Sequence, residues 1–287
     1  MIFRTAFLIS AFAIPLSALP PTGGQEISSP IAAGSKFTYA ALLQLVCPDL
    51  KVDPADASKA TATQSVDIRE LGKKPVDSEL RTGDQITIES VKTVALQASP
   101  KGPRALVGFA VYSKDEETYS RNLAAFDLSA APRLIDVVSV PGFPDDAGDF
   151  EGRLVLNKET EGYIFESYHS NSSQGYQIST VLFLHGDRFE KIADVGLLSS
   201  RGYDREQSIE QTVNISAQAD AGRPYNSVVV QVTFKRLADE PDSQHRPLRK
   251  ESKRYYTATY RWNPAAGRYT TLSKELEVLD AFNQKNN

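Results

Sequence analysis

The sequence predicts a mainly-β protein of repeated antiparallel meanders and hairpins, sandwich-like or partly propeller-like, with a short helix near each end. Three observations predict it. First, polar and apolar residues alternate with period two over Gln85-Ile86-Thr87-Ile88-Glu89. They do so again where Val228, Val230, Val232 and Phe234 share one face, and where Tyr256, Ala258, Tyr260 and Trp262 do. Alternate side chains of a strand point the same way, whereas a helix would scatter these residues around its axis. Second, a strand–turn–strand unit recurs three times: Asn122–Asp127 with Arg133–Val140, Thr180–Leu184 with Phe189–Val195, and Thr257–Trp262 with Tyr269–Leu272. Each has further strand-like residues upstream, at 105–112, 162–169 and 225–236, so the unit is a three- or four-stranded meander. Third, 41% hydrophobic and 24% charged residues in a chain of 287 match an ordinary globular protein with one large domain or two small ones.

Residues 1–18 have the layout of a secretory signal peptide. Arg4 precedes an apolar run from Ala6 to Ile14, Pro15 breaks it, and small residues lead to a cleavage point after Ala18. The run is shorter than the roughly 20 residues a membrane-spanning helix requires, and no later segment reaches that length. The mature chain is therefore expected to lack a membrane span and to be periplasmic or extracellular. Residues 19–80 read as linker followed by a loosely structured segment. It holds a short amphipathic helix, in which Phe37, Ala40, Ala41, Leu43 and Val46 recur before Pro48 stops it. Beyond Pro48 the composition supports one short strand at most.

The β domain is expected over 81–274. Leu106 to Tyr112 is almost continuously apolar, as in a strand covered on both faces. His185-Gly186-Asp187-Arg188 and Asn263 to Arg268 supply turn residues between paired strands. Over 275–287 the chain closes with a helix and tail, in which Leu276, Leu279 and Phe282 recur at helical spacing.

Chemistry is sparse. The 36 acidic and 32 basic residues give a net charge of −4, against the basic excess of a nucleic-acid binder. No phosphate-binding glycine loop, zinc-protease helix or nucleophile elbow occurs. One cysteine, Cys47, excludes an internal disulfide framework and a thiolate zinc site; it reads as a small buried hydrophobe or as half of an intermolecular disulfide. No cofactor is implied, apart from weak calcium binding in the acidic run from Asp136 to Glu151. There Asp145, Asp146, Asp149 and Glu151 are the candidate ligands, since calcium favours several carboxylate oxygens; a solvated turn explains the same residues. Residues 245–254 carry five bases and one acid, as a lipid-facing patch or a solvated loop. Among the aromatic residues, Tyr256, Tyr260 and Trp262 fall on the core face, which leaves Tyr255 and Tyr269 as candidate exposed contacts for a glycan.

Taken together, these features point to an exported, non-enzymatic binding or envelope-associated interaction protein, with an envelope protein or a glycan as partner. The alternative is a secreted or periplasmic hydrolase whose paired carboxylates lie within Asp136–Glu151. A third course is partner recognition by strand addition at a sheet edge.

Overall fold

Alternating strands bury their faces by stacking in layers, and that is the architecture of the computed structural model. It describes residues 25–72, 80–99, 102–113, 119–129, 131–142, 149–170, 174–200, 208–237 and 250–286. The signal-like leader at 1–18 lies outside these residues. A short helix, α1 (Tyr39–Leu43), is capped by the Thr38 hydroxyl, which accepts from the Ala41 amide. Strands β1 (Lys51–Val52), β2 (Ala60–Val66) and β3 (Arg69–Glu70) follow. A first long meander comprises β4 (Leu80–Ser99), β5 (Gly102–Ser113), β6 (Tyr119–Asp127) and β7 (Arg133–Val140). A second comprises β8 (Asp149–Val155), β9 (Glu161–Ser170), β10 (Gln174–His185) and β11 (Arg188–Ser200). The third comprises β12 (Ile209–Gln218), β13 (Ser227–Arg236), β14 (Ser252–Asn263) and β15 (Arg268–Thr270), and α2 (Glu275–Lys285) ends the chain. Among the described residues no helix is long and apolar enough to cross a membrane.

Hydrogen bonds join these strands into a seven-stranded sheet, β1-β2-β4-β5-β6-β7-β3, and an eight-stranded one running from β15 to β8. Among the described residues all strand pairs are antiparallel except β3 with β7. In the second sheet, β11 and β12 are paired only at Ser200 and Ile209 among the described residues. That corner lets the second and third meanders face each other. Their shared core holds Val181 and Phe183 of β10, Val195 and Leu197 of β11, and Val228, Val230 and Val232 of β13. The other face of the second meander, with Tyr163, Phe165, Leu182 and Phe189, packs on Leu106, Leu123, Ala125 and Val138 of the first. Beyond that, the outer face of the first sheet is covered by Ile27, Ile31, Tyr39, Leu42, Leu43 and Val46. The order of layers is thus N-terminal cover, first meander, second meander, third meander. No core cluster is shared by the first and third meanders, so the described stack is sandwich-like and does not close into a propeller ring.

The segment read from sequence as loose is built into this stack. Instead of one strand at most, residues 51–70 form three. Ala60 and Ala62 of β2 are small enough to lie under α1, an arrangement that leaves no apolar run in the sequence. Cys47 is fully buried in the same cluster, and burial pushes its thiol up to about 12, with the Asp49 charge adding to the shift.

At the far end α2 and Ser273 just before it close two open strand edges. The Thr257 amide and carbonyl of β14, beyond the reach of β15, bond Glu275 Oε2 at 2.6 Å and Ser273 Oγ at 2.8 Å. Where β11 and β12 diverge, Gln211 Oε1 accepts from the Leu198 amide, and Asn283 Nδ2 donates to the Gly196 carbonyl. Gln211 and Asn283 bond each other at 2.7 and 3.1 Å. Buried backbone groups without strand partners are costly, and this pair of amides supplies the partners.

Candidate functional site

In the first sheet, the face turned to the second meander is apolar in the middle and charged at both ends. On β6, Arg121 has the same parity as Leu123 and Ala125, which are core; on β5, Arg104 has that of Leu106. On β7, Asp136 has that of Val138 and Val140. A charge at a core position requires a partner.

At one end every charge has a partner. Arg69, with a side chain 4% exposed, donates to Asp136 at 2.5 and 3.4 Å and to the Phe189 carbonyl at 2.8 Å. The Asp136 carboxylate also accepts from the amides of Phe189 at 2.7 Å and Val137 at 3.0 Å. Arg104 donates to the Gly186 carbonyl and to Asp187, in the turn between β10 and β11. Gly186 takes a positive φ of 63°, as that turn requires. These contacts fasten the first meander to the second.

The other end is different. Here β4 carries two bulges, between Glu89 and Lys92 and between Thr93 and Ala95. Ser90 lies in the first with φ 53°. Neighbouring elements satisfy the freed backbone: the Thr93 amide donates to the Tyr39 hydroxyl, the Val91 carbonyl accepts from Gln25, and the Val94 carbonyl accepts from Arg153. The bulge turns Lys92 toward the second meander, with its Nζ 5.9 Å from the centre of the Phe150 ring. Phe150 approaches the first sheet closely because residue 108 is glycine; a Cβ there would meet its ring at 3.2 Å.

Next to Lys92 is Arg121, 6% exposed. Its guanidinium carbon is 5.6 Å from the centre of the Tyr119 ring, and Tyr119 packs on Tyr112 with centroids 4.8 Å apart. Arg121 Nε is buried with no hydrogen-bond acceptor. Among the described residues no carboxylate forms a salt bridge with Arg121; Glu89, opposite in the register, pairs with Lys59 at 3.5 Å. Burial, and after it the Arg121 charge, bring the Lys92 ammonium down to about 8, against the opposing effect of Glu151. Burial raises the Tyr112 hydroxyl to about 12. Among the described residues this mouth between two layers brings together Arg121 and Lys92, the phenols of Tyr112 and Tyr119, and the carboxylates of Glu89 and the exposed Glu151.

Of the residues singled out from sequence, Glu151 is at this mouth. It is the extra residue of a bulge in β8, between Phe150, which pairs with Phe165, and Gly152, which pairs with Ile164. Asp149 begins β8, and Asp145 and Asp146 lie outside the described residues. Among the described residues no three His, Cys, Asp or Glu side chains converge as a metal site. Asp136, the first acid of that run, is committed to Arg69 and two amides. Tyr255 is 52% exposed, with Lys253 Nζ 5.0 Å from its ring. Tyr269 is not an exposed contact. It is 5% exposed, packs on Phe183 and Trp262, and donates to the Asn226 carbonyl, because the short β15 folds it back over the core. Of the basic run, 245–249 lies outside the described residues.

No motif in the sequence singles out Arg121, Lys92, Tyr112 or Tyr119. Arg121 left a signal, being a charge at the parity of Leu123 and Ala125 in a strand whose stretch from Leu123 to Phe126 is apolar on both faces. Lys92 left none, because two bulges reset the parity of β4. No protein-family model matches the chain, and no curated protein sequence matches it.

Proposed function

We propose that this chain is an exported, non-enzymatic binding protein that works in the periplasm or outside the cell on an envelope protein or glycan. The leader-like residues 1–18 support export. The observation that carries binding is the mouth at Arg121. A desolvated guanidinium with an unused Nε donor is costly to the fold, and a site built to receive a ligand group accounts for that cost. The test is N-terminal sequencing and fractionation of the natively expressed protein, followed by a pull-down from an envelope fraction. A new N-terminus near Leu19 in the extracytoplasmic fraction, with a specifically retained envelope component, is expected. An intact Met1 on a cytosolic species would overturn the reading.

One observation favours the alternative, a hydrolase with paired carboxylates. Burial raises the Glu166 carboxyl, and the nearby Glu151 charge raises it further, against a hydrogen bond from Ser179. A carboxyl whose acidity is weakened by burial, beside a second carboxyl, is the kind of pair that acid–base hydrolysis uses. Release of reducing sugar from envelope polysaccharide, lost in both Glu151→Gln and Glu166→Gln, would establish the hydrolase in place of the binding protein.

A further inference from the structure

Resting on that binding reading, we infer that the mouth at Arg121 and Lys92 receives an oxyanion, the carboxylate or phosphoryl group of a small ligand. Arginine presents its donors in a fixed planar fork that matches the two oxygens of such a group, and Nε is one tine of that fork. In Arg121 this tine is buried and unused, on a side chain 6% exposed. At the opposite end of the same face, Arg69 directs both Nε and Nη2 at one carboxylate, Asp136. At Arg69 the fold fills this geometry with its own side chain, and at Arg121 it leaves Nε unfilled.

Charge supports the assignment. Lys92 and Arg121 are like charges in mutual range, and burial already disfavours the ammonium form of Lys92. An oxyanion between them would relieve both effects. Glu89 is engaged by Lys59 at 3.5 Å and accepts a hydrogen bond from the Tyr112 hydroxyl. Glu151 is exposed on the rim. The tilted pair Tyr112 and Tyr119 walls the mouth on the Arg121 side, and Phe150 on the Lys92 side. These rings place low-dielectric surface beside the charges, which strengthens a charge-assisted bond to an anion.

The test titrates the full chain with inorganic phosphate, glucuronate and neutral glucose by calorimetry and thermal melting, at ionic strength held constant with chloride. Saturable binding of phosphate or glucuronate, with a higher melting temperature and no response to glucose, is expected. A response to phosphate alone assigns a phosphoryl ligand, and to glucuronate alone a carboxylate. Lys92→Met should weaken binding about tenfold and Arg121→Gln should abolish it. Arg261→Gln, at a remote and exposed arginine, should leave it unchanged. The ligand-free melt and circular dichroism of each variant establish that it folds, and Lys92→Met carries the test if Arg121→Gln does not. No saturable response to either anion, or equal binding in the variants, overturns the inference. The binding reading then stands or falls separately, on the envelope pull-down.

Discussion

Asp136→Ala should cost the fold about 3–5 kcal/mol, the range found when one member of a buried ion pair is removed. The magnitude follows from what is stranded. Arg69, with its side chain 4% exposed, loses its carboxylate, and the amides of Phe189 and Val137 lose an acceptor at 2.7 and 3.0 Å. Arg69→Met should cost less, because the two amides keep the Asp136 carboxylate, itself 14% exposed. The pair is also imperfect: Arg69 Nη1 is buried without an acceptor. An apolar replacement of both, Arg69→Met with Asp136→Ala, should therefore be less destabilising than the sum of the single changes by about 2 kcal/mol. Urea unfolding reads these differences as shifts of midpoint at constant slope. In melting experiments the single Asp136 change should lower the midpoint by roughly 10 °C, at about 2–4 °C per kcal/mol for a chain near this size. A cost below about 1 kcal/mol for Asp136→Ala would refute the view that this pair fastens the first two layers. So would strict additivity in the double variant.

Lys92 gives a pH signature. Below about 8 it is protonated in both folded and unfolded chains, so its burial is a constant cost. Between about 8 and its ordinary value of 10.5 the unfolded chain holds a proton the folded chain lacks, and stability rises with pH. Lys92→Met should be the more stable protein at pH 7, and its advantage in urea midpoint should shrink by pH 10. Cys47, buried and held as the thiol, should resist a disulfide-exchange reagent until the protein unfolds, and non-reducing electrophoresis should show only monomer. Asn283→Ala removes the donor to the Gly196 carbonyl and both bonds to Gln211. It should cost about 1–3 kcal/mol and speed hydrogen exchange at the Leu198 amide; unchanged exchange there would mean that α2 does not seal the gap between β11 and β12.

The strands that read most clearly from sequence were those without irregularity. In β13 and β14 the period-two pattern runs unbroken, and Val228, Val230, Val232 and Trp262 are all core. The three recurring hairpins are β6–β7, β10–β11 and β14–β15, and the upstream strands complete three four-stranded meanders. Bulges account for much of what was hidden. In β4, Ile88 and Val91 share a face although three residues apart, and Val94 and the adjacent Ala95 share the other. No fixed period finds that strand's faces, so Lys92 could not be placed. In β2 the buried residues are alanines, which carry little hydrophobic signal. The stacking order of the layers was not legible, because it depends on the corner at Ser200 and Ile209 and on polar groups that close open edges. Tyr269 is buried where the sequence pattern suggests exposure for a related reason: a three-residue strand following a tight turn has too few residues to show which face is inward.

The most direct measurement of the account is the Arg121 Nε–H resonance in a nitrogen-15 spectrum of the full chain, assigned by its loss in Arg121→Lys. In the free protein this buried donor has no acceptor, so its proton should resonate upfield of the Arg69 Nε–H, which is bonded to Asp136. On saturation with phosphate or glucuronate it should move downfield while the Arg69 signal stays in place. An Arg121 signal that does not move at saturating concentrations of either anion would contradict the account.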